Sequence, residues 1–410
     1  MRDKIYWPLL AFFLTLPFER LFTFDILGFT LKLPYLAGII LVVYYIVLFW
    51  KRKEKLSFPA ELLPLILFIA WSFISLFWSI DPQKTFIISS MFLFMGLIFL
   101  ATRSIVKKTN FNYEQAFIWL GVATAIFGFW QFFGDLNNLP QNMTGLGNAY
   151  VKGVFPFPRI HSTFMEPLYF ANFLLIPLYL AIKRYSLEGK GIIEFLIIAT
   201  AFFLALSRGG LIAFLISAFI LIIFLLIKKE RPAKIFRPLL ILIPAFLIAV
   251  SLIFTFTGSS GVKAYITQSG NTVDFLSFQG SQSKNEVVRS YTIKVAIDNW
   301  QKHRLAGIGT GAFGSLPEFD WIRSEGNERQ TVNSLYPEIL VEEGIVGLIL
   351  FLAFLAFIFF KTWRKGFHNK TAYLYSAAII LGIFIQYASF STLYLVYIWV
   401  FLGCLSAGTE

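Results

Sequence analysis

Apolar residues run through this chain in long blocks, not in alternation. Twelve blocks stand out, at residues 5–18, 34–50, 60–79, 86–102, 115–134, 167–182, 192–206, 209–227, 237–257, 336–360, 372–388 and 391–407. Most have the roughly 20-residue length that a helix needs to cross hydrocarbon. In that solvent each backbone N–H and C=O must be paired within its own segment, so every block predicts a helix and none a strand. The first block is short. The seventh and eighth are parted only by Ser207-Arg208-Gly209, and read either as two spans or as a re-entrant hairpin.

One long polar interval breaks the pattern, residues 258–335. The expected organisation is nine helices over residues 1–257, one large loop over 258–335 and three more helices over 336–410. Within the loop, Glu286 to His303 predicts a helix. Tyr291 and Val295, Ile293 and Ile297, and Ala296 and Trp300 are each four apart, and Pro and Gly are absent. Next comes Gly307-Ile308-Gly309-Thr310-Gly311-Ala312-Phe313-Gly314, a formal GxGxxG. No strand precedes it and no acidic residue follows at the dinucleotide spacing, so it predicts a tight turn laid close to the membrane. A second, shorter loop at 135–166 is rich in Asn, Gly and Pro.

Composition sharpens the class. The chain is 57% hydrophobic and 14% charged, with a mean hydropathy of +0.71. A soluble domain is nearer a quarter charged. The net charge of +12 invites a nucleic-acid reading, and the positions argue against it. With the N-terminus in the cytoplasm, 21 of the 35 Lys and Arg residues fall on the inner side of an alternating topology. The long loop carries eight bases and seven acids, so it is nearly neutral. The excess charge is a topology signal facing anionic lipid, not a phosphate-backbone footprint. Both termini are then cytoplasmic and the long loop faces out. A lone Cys404 allows no internal disulfide, and three scattered histidines give no zinc spacing. The first apolar run ends in Pro17-Phe18-Glu19-Arg20 without a small-residue cleavage site.

Candidate chemistry lies at the outward ends of the spans. Arg159, Arg208 and Arg289 are three outward arginines. Arginine stays charged and offers a planar fork that matches phosphate oxygens. Arg208, in LALSRGGLIAFL, reads either as a phosphate contact or as a helix-end residue snorkelling to headgroups. Glu166, just before Pro167, reads either as a helix cap or as a catalytic base. Glu338, Glu342 and Glu343 put three carboxylates into six residues at the start of the tenth span, more than capping needs. His303 reads as a helix-end residue or a base, and His161 as a polar loop residue or a base.

The stretches RIHSTFMEPLYFANFLL, LALSRGGLIAFL, VRSYTIKVAIDNWQKHRLAGIGTGAFG and NSLYPEILVEEGIVGL together resemble the O-antigen ligase and polymerase superfamily, membrane glycosyltransferases of the GT-C type. The resemblance covers roughly residues 155–350, with a large loop between helices nine and ten. It implies an all-α polytopic protein of the bacterial inner membrane, with about 12 transmembrane helices and a periplasmic site under a partly helical loop. It implies a polyprenyl-diphosphate-linked glycan as donor. Ligases pass that glycan to lipid A core, and polymerases pass it to another lipid-linked repeat unit. Neither type uses a metal, a nucleotide sugar or another cofactor. The S-R-G arginine of the family falls on Arg208, the loop-helix arginine on Arg289, an arginine before the sixth span on Arg159, and the glutamate of E-x-G on Glu342. Ligases carry a histidine just before the Asn of the last motif. Here that position is Val332, with one extra residue around Pro337. The base then falls to Glu166, Glu338 or His303, and ligase and polymerase both stay open. The rivals are a lipid-linked oligosaccharide flippase and a non-catalytic assembly protein. A transporter usually carries internal repeats and midplane charges, and neither is evident here.

Overall fold

The computed structural model describes residues 2–20, 23–26, 29–52, 59–109, 111–152, 157–270, 284–320 and 330–409. Each of the twelve apolar blocks coincides with a helix. These are α1 (Arg2–Thr15), α2 (Leu33–Arg52), α3 (Leu62–Ile74), α4 (Pro82–Lys108), α5 (Tyr113–Leu136), α6 (Pro167–Glu188), α7 (Ile192–Leu204), α8 (Arg208–Ile227), α9 (Leu239–Gly270), α11 (Leu335–His368), α12 (Ala372–Gln386) and α13 (Val396–Gly408), with the loop helix α10 (Lys284–Lys302) before α11. Among the described residues, six helices are long and apolar enough to cross a membrane, and four shorter apolar helices accompany them. The protein is therefore an all-α polytopic membrane protein. A two-stranded antiparallel hairpin, Phe24–Ile26 paired with Phe29–Leu31, is a small exception between α1 and α2.

The chain forms two compact units built from discontinuous segments. The first comprises residues 1–41, 105–281 and 362–383. Its centre is α5, α6 and α7, packed on one another, with α9 on α7 and α8 on α6. Apolar side chains give helices little reason to associate in lipid, so close contact and interhelical hydrogen bonds matter more. The Tyr179 hydroxyl of α6 meets Ser217 Oγ of α8 at 2.6 Å. A Cβ on Gly210 would stand 2.8 Å from the Ala171 Cβ, so this glycine lets α8 lie close to α6 at the very turn that carries Arg208.

The second unit comprises residues 42–104, 282–361 and 384–410. Rings of α3, α4, α11 and α13 fill it: Phe68 against Phe351, Phe99 against Phe354, and Phe354 stacked on Trp399. The expected loop helix is present as α10, and it has a core of its own. Val295 and Ala296 pack with Ile308, Phe313, Phe319 and Val332.

The same unit contains a split helix. At Gly344, φ is +68° and the helical path of α11 is interrupted. The carbonyls left open accept from the glycine-rich turn: Ile308 N–H donates to Val341 at 3.0 Å and Gly309 N–H to Glu342 at 2.9 Å. The amides left open, on Ile345 and Val346, donate to the carbonyls of Arg304 and Leu305. Trp71 Nε1 donates to the Glu343 carbonyl at 2.9 Å. The loop thus supplies the hydrogen bonds that the helix gave up, as apolar surroundings require.

Candidate functional site

Each unit carries its own cluster of the residues singled out above. In the first unit the cluster is built on the segment 157–166 and on the corner between α7 and α8. Gln131, buried on α5, accepts from the backbone N–H groups of His161 and Ser162 through Oε1 and donates to the Ser162 carbonyl through Nε2. Ser162 Oγ donates to the Thr124 carbonyl at 2.8 Å. These bonds hold Ser162 at φ +54°, a conformation that non-glycine residues adopt at a cost. Arg159 is thereby set at the edge of the bundle. Its Nη2 donates to the Leu206 carbonyl at 3.3 Å, and its guanidinium lies 5.9 Å from the Tyr150 ring centroid.

Leu206 is itself at φ +49°. Ser207 then caps α8, its Oγ accepting from Gly210 N–H at 3.3 Å. Arg208 is the first residue of the helix and is exposed. The structure therefore brings Arg159 to the corner from which Arg208 springs. Glu166 stands at the cap position of α6, exposed, and its side chain makes no capping bond. Its charge instead reaches Tyr150. Burial pushes the Tyr150 hydroxyl up to about 12, and Glu166 adds to the rise against the opposing fields of Arg159 and Arg20. That hydroxyl keeps its proton at physiological pH.

In the second unit the three glutamates of α11 divide into two kinds. Glu342 and Glu343 are buried and bonded to their own chain. Glu342 accepts from Gly311 N–H at 2.8 Å and from Phe313 N–H at 3.1 Å. Glu343 accepts from Ser72 Oγ at 2.9 Å and from Thr310 Oγ1 at 3.2 Å. Both fasten the glycine-rich turn to α11 and α3, a role that spacing did not reveal. Glu338 is half-buried. It accepts from Val332 N–H at 3.0 Å and lies within hydrogen-bonding reach of Ser391.

Val332, where ligases carry the histidine, is 0% exposed and belongs to the loop core. Thr292 Oγ1 bridges its carbonyl (3.2 Å) to that of Arg289 (3.0 Å). Arg289 and Glu338 are thus joined to one residue, Val332, from its two sides. Arg289 is exposed in the first turns of α10. His303 is exposed beyond the other end of that helix, roughly 20 Å further on at 1.5 Å per residue.

Residues 193–352 match the family model described as O-Antigen ligase. That stretch is similar to the domain the family model describes. The domain takes in Arg208, Arg289, Glu338 and Glu342, while Arg159 and Glu166 precede it. The superfamily found is the one that the four motifs resemble, and it implies a membrane glycosyltransferase of ligase or polymerase type acting in polysaccharide synthesis. A search of curated proteins found no match.

Proposed function

We propose that the protein transfers a glycan en bloc from a polyprenyl-diphosphate carrier to an acceptor glycan, either lipid A core or another lipid-linked repeat unit, on the periplasmic face of the bacterial inner membrane. The acceptor hydroxyl attacks the anomeric carbon, the bond to the carrier phosphate breaks, and the diphosphate leaves with the electron pair. Arg208, Arg159 and Arg289 neutralise the charge that grows on it. Fixed positive groups of this kind often make the largest single contribution to catalysis. Glu338 takes the hydroxyl proton. It adjoins the Val332 backbone, where ligases carry their histidine, and a carboxylate in that place can do the same work. Of the other base candidates, Glu166 faces Tyr150 and His303 lies a helix length from Arg289.

The observation that carries this reading is the corner before α8. Arg208 opens a helix, the end whose dipole favours an anion and disfavours a cation, and Arg159 is tied to the same corner. The test uses purified protein in proteoliposomes with a lipid-linked donor. Wild type is expected to form a covalent product, with Arg208→Ala and Arg289→Ala each losing about 10²–10³-fold in rate while melting normally. Normal transfer by both variants would refute the proposal, and leaflet exchange of the donor without product would mean a flippase.

A further inference from the structure

Arg20 follows α1 and lies outside all four motifs. Its backbone N–H donates to the Thr163 carbonyl at 3.1 Å. One guanidinium nitrogen, Nη1, donates to the Gly145 carbonyl at 2.8 Å and meets His161 Nε2 at 3.1 Å. The same His161 nitrogen accepts from Gly147 N–H at 3.0 Å. A ring nitrogen that receives two donors must offer its lone pair, so His161 is neutral with its proton on Nδ1. Burial, and then the field of Arg20, lower its pKa to about 4. Arg20 is thus oriented by an uncharged partner, and its positive charge is left whole. Among the described residues it forms no ion pair, and Nε and Nη2 have no protein acceptor.

That arrangement is more than a staple needs. One nitrogen with two N–H bonds suffices to hold Gly145 and His161, and glutamine or lysine can provide it. A half-buried guanidinium with no ion pair among the described residues is costly unless a ligand supplies a counter-charge. Its surroundings indicate which. The Tyr150 ring lies 5.5 Å from the His161 ring on one side and 5.9 Å from the Arg159 guanidinium on the other. Arg20 and Arg159 therefore flank one tyrosine. Both guanidinium groups act on this tyrosine, as does the Glu166 carboxylate, and cationic forks suit phosphate oxygens.

We propose that Arg20 is a further contact for the diphosphate of the lipid-linked donor, held in position by His161 and acting beside Arg159. This rests on the glycosyl-transfer reading above. The experiment measures donor and acceptor KM in proteoliposomes for wild type, Arg20→Lys and Arg20→Gln, with inorganic pyrophosphate as competitor and melting temperature as the folding control. Arg20→Lys keeps a donor for Gly145 and His161 but loses the fork. Expected for Arg20→Lys are unchanged melting, a donor KM raised about 10-fold or more, an unchanged acceptor KM and weaker inhibition by pyrophosphate. Arg20→Gln should raise donor KM further. A lower kcat at constant donor KM, or a rise confined to acceptor KM, would overturn the proposal. So would full rescue by Arg20→Lys. If Arg208→Ala and Arg289→Ala transfer normally, the parent reading falls instead. If they fail to transfer while Arg20 variants keep wild-type donor KM, only this inference falls.

Discussion

The arginine cluster of the first unit and the glutamate cluster of the second treat charge in opposite ways. Arg159 and Arg20 bond to backbone carbonyls and a neutral imidazole, and Arg208 stands exposed at a helix start. Carbonyls and a neutral imidazole orient the Arg20 guanidinium without cancelling its charge. Glu342 and Glu343 are buried and bonded to N–H and O–H groups of their own chain. Charged residues in this chain are thus of two kinds, those bonded into the fold and those that, on the proposed reading, face a substrate. What each charge is bonded to separates them better than its position in sequence.

Glu338 against Glu342 is the sharpest way to break this division. Glu338→Gln should lower the transfer rate about 10²–10⁴-fold with little change in melting. Glu342→Gln should set an NH2 group against one of two backbone N–H donors, cost about 2–3 kcal/mol and lower activity only with the folded fraction. The division fails if the two phenotypes are exchanged. Gly344→Ala comes next. A Cβ there would stand 2.1 Å from the Leu305 carbonyl oxygen, at φ +68°, and a loss of about 2–4 kcal/mol is expected by thermal unfolding in detergent.

On the arginine side, His161 gives a pH test. Its folded pKa of about 4 is below the usual 6.5, so between those values the unfolded chain binds a proton that the folded chain does not. Stability should fall as pH falls from 6.5 to 4, by about 2–3 kcal/mol, and then lose this contribution to the slope. His161→Gln should flatten that window in unfolding curves taken across pH. The smallest effect is at the corner itself. Ser207→Ala removes the cap of α8 at about 1 kcal/mol, read as a small drop in melting temperature with Arg208 left in place.

The helices were legible because hydrocarbon permits few other structures, and apolar length alone marks them. The loop helix was legible from its four-residue spacing, with ends two residues or fewer from those observed. The glycine-rich stretch was readable as a tight turn, but not as the partner of a split helix. That pairing joins Gly309 to Glu342, and no local pattern encodes it. Glu342 and Glu343 looked chemical because carboxylates are rare in spans, whereas their partners are amides and hydroxyls distant in sequence. Arg20 was visible only as one more outer base. Its contacts with Gly145 and His161 cross more than a hundred residues, and only a folded chain displays them.

The interruption at Gly344 has a consequence for biogenesis. A translocon can release an ordinary hydrophobic segment into lipid as a finished cylinder. Residues 335–368 cannot be released so, because the interrupted stretch has amides and carbonyls that the segment 304–309 and Trp71 satisfy. That preceding segment must already be in place to pair with this one when it emerges. Truncating or delaying it should leave the last third of the chain a substrate for quality-control proteases, even with every hydrophobic residue intact.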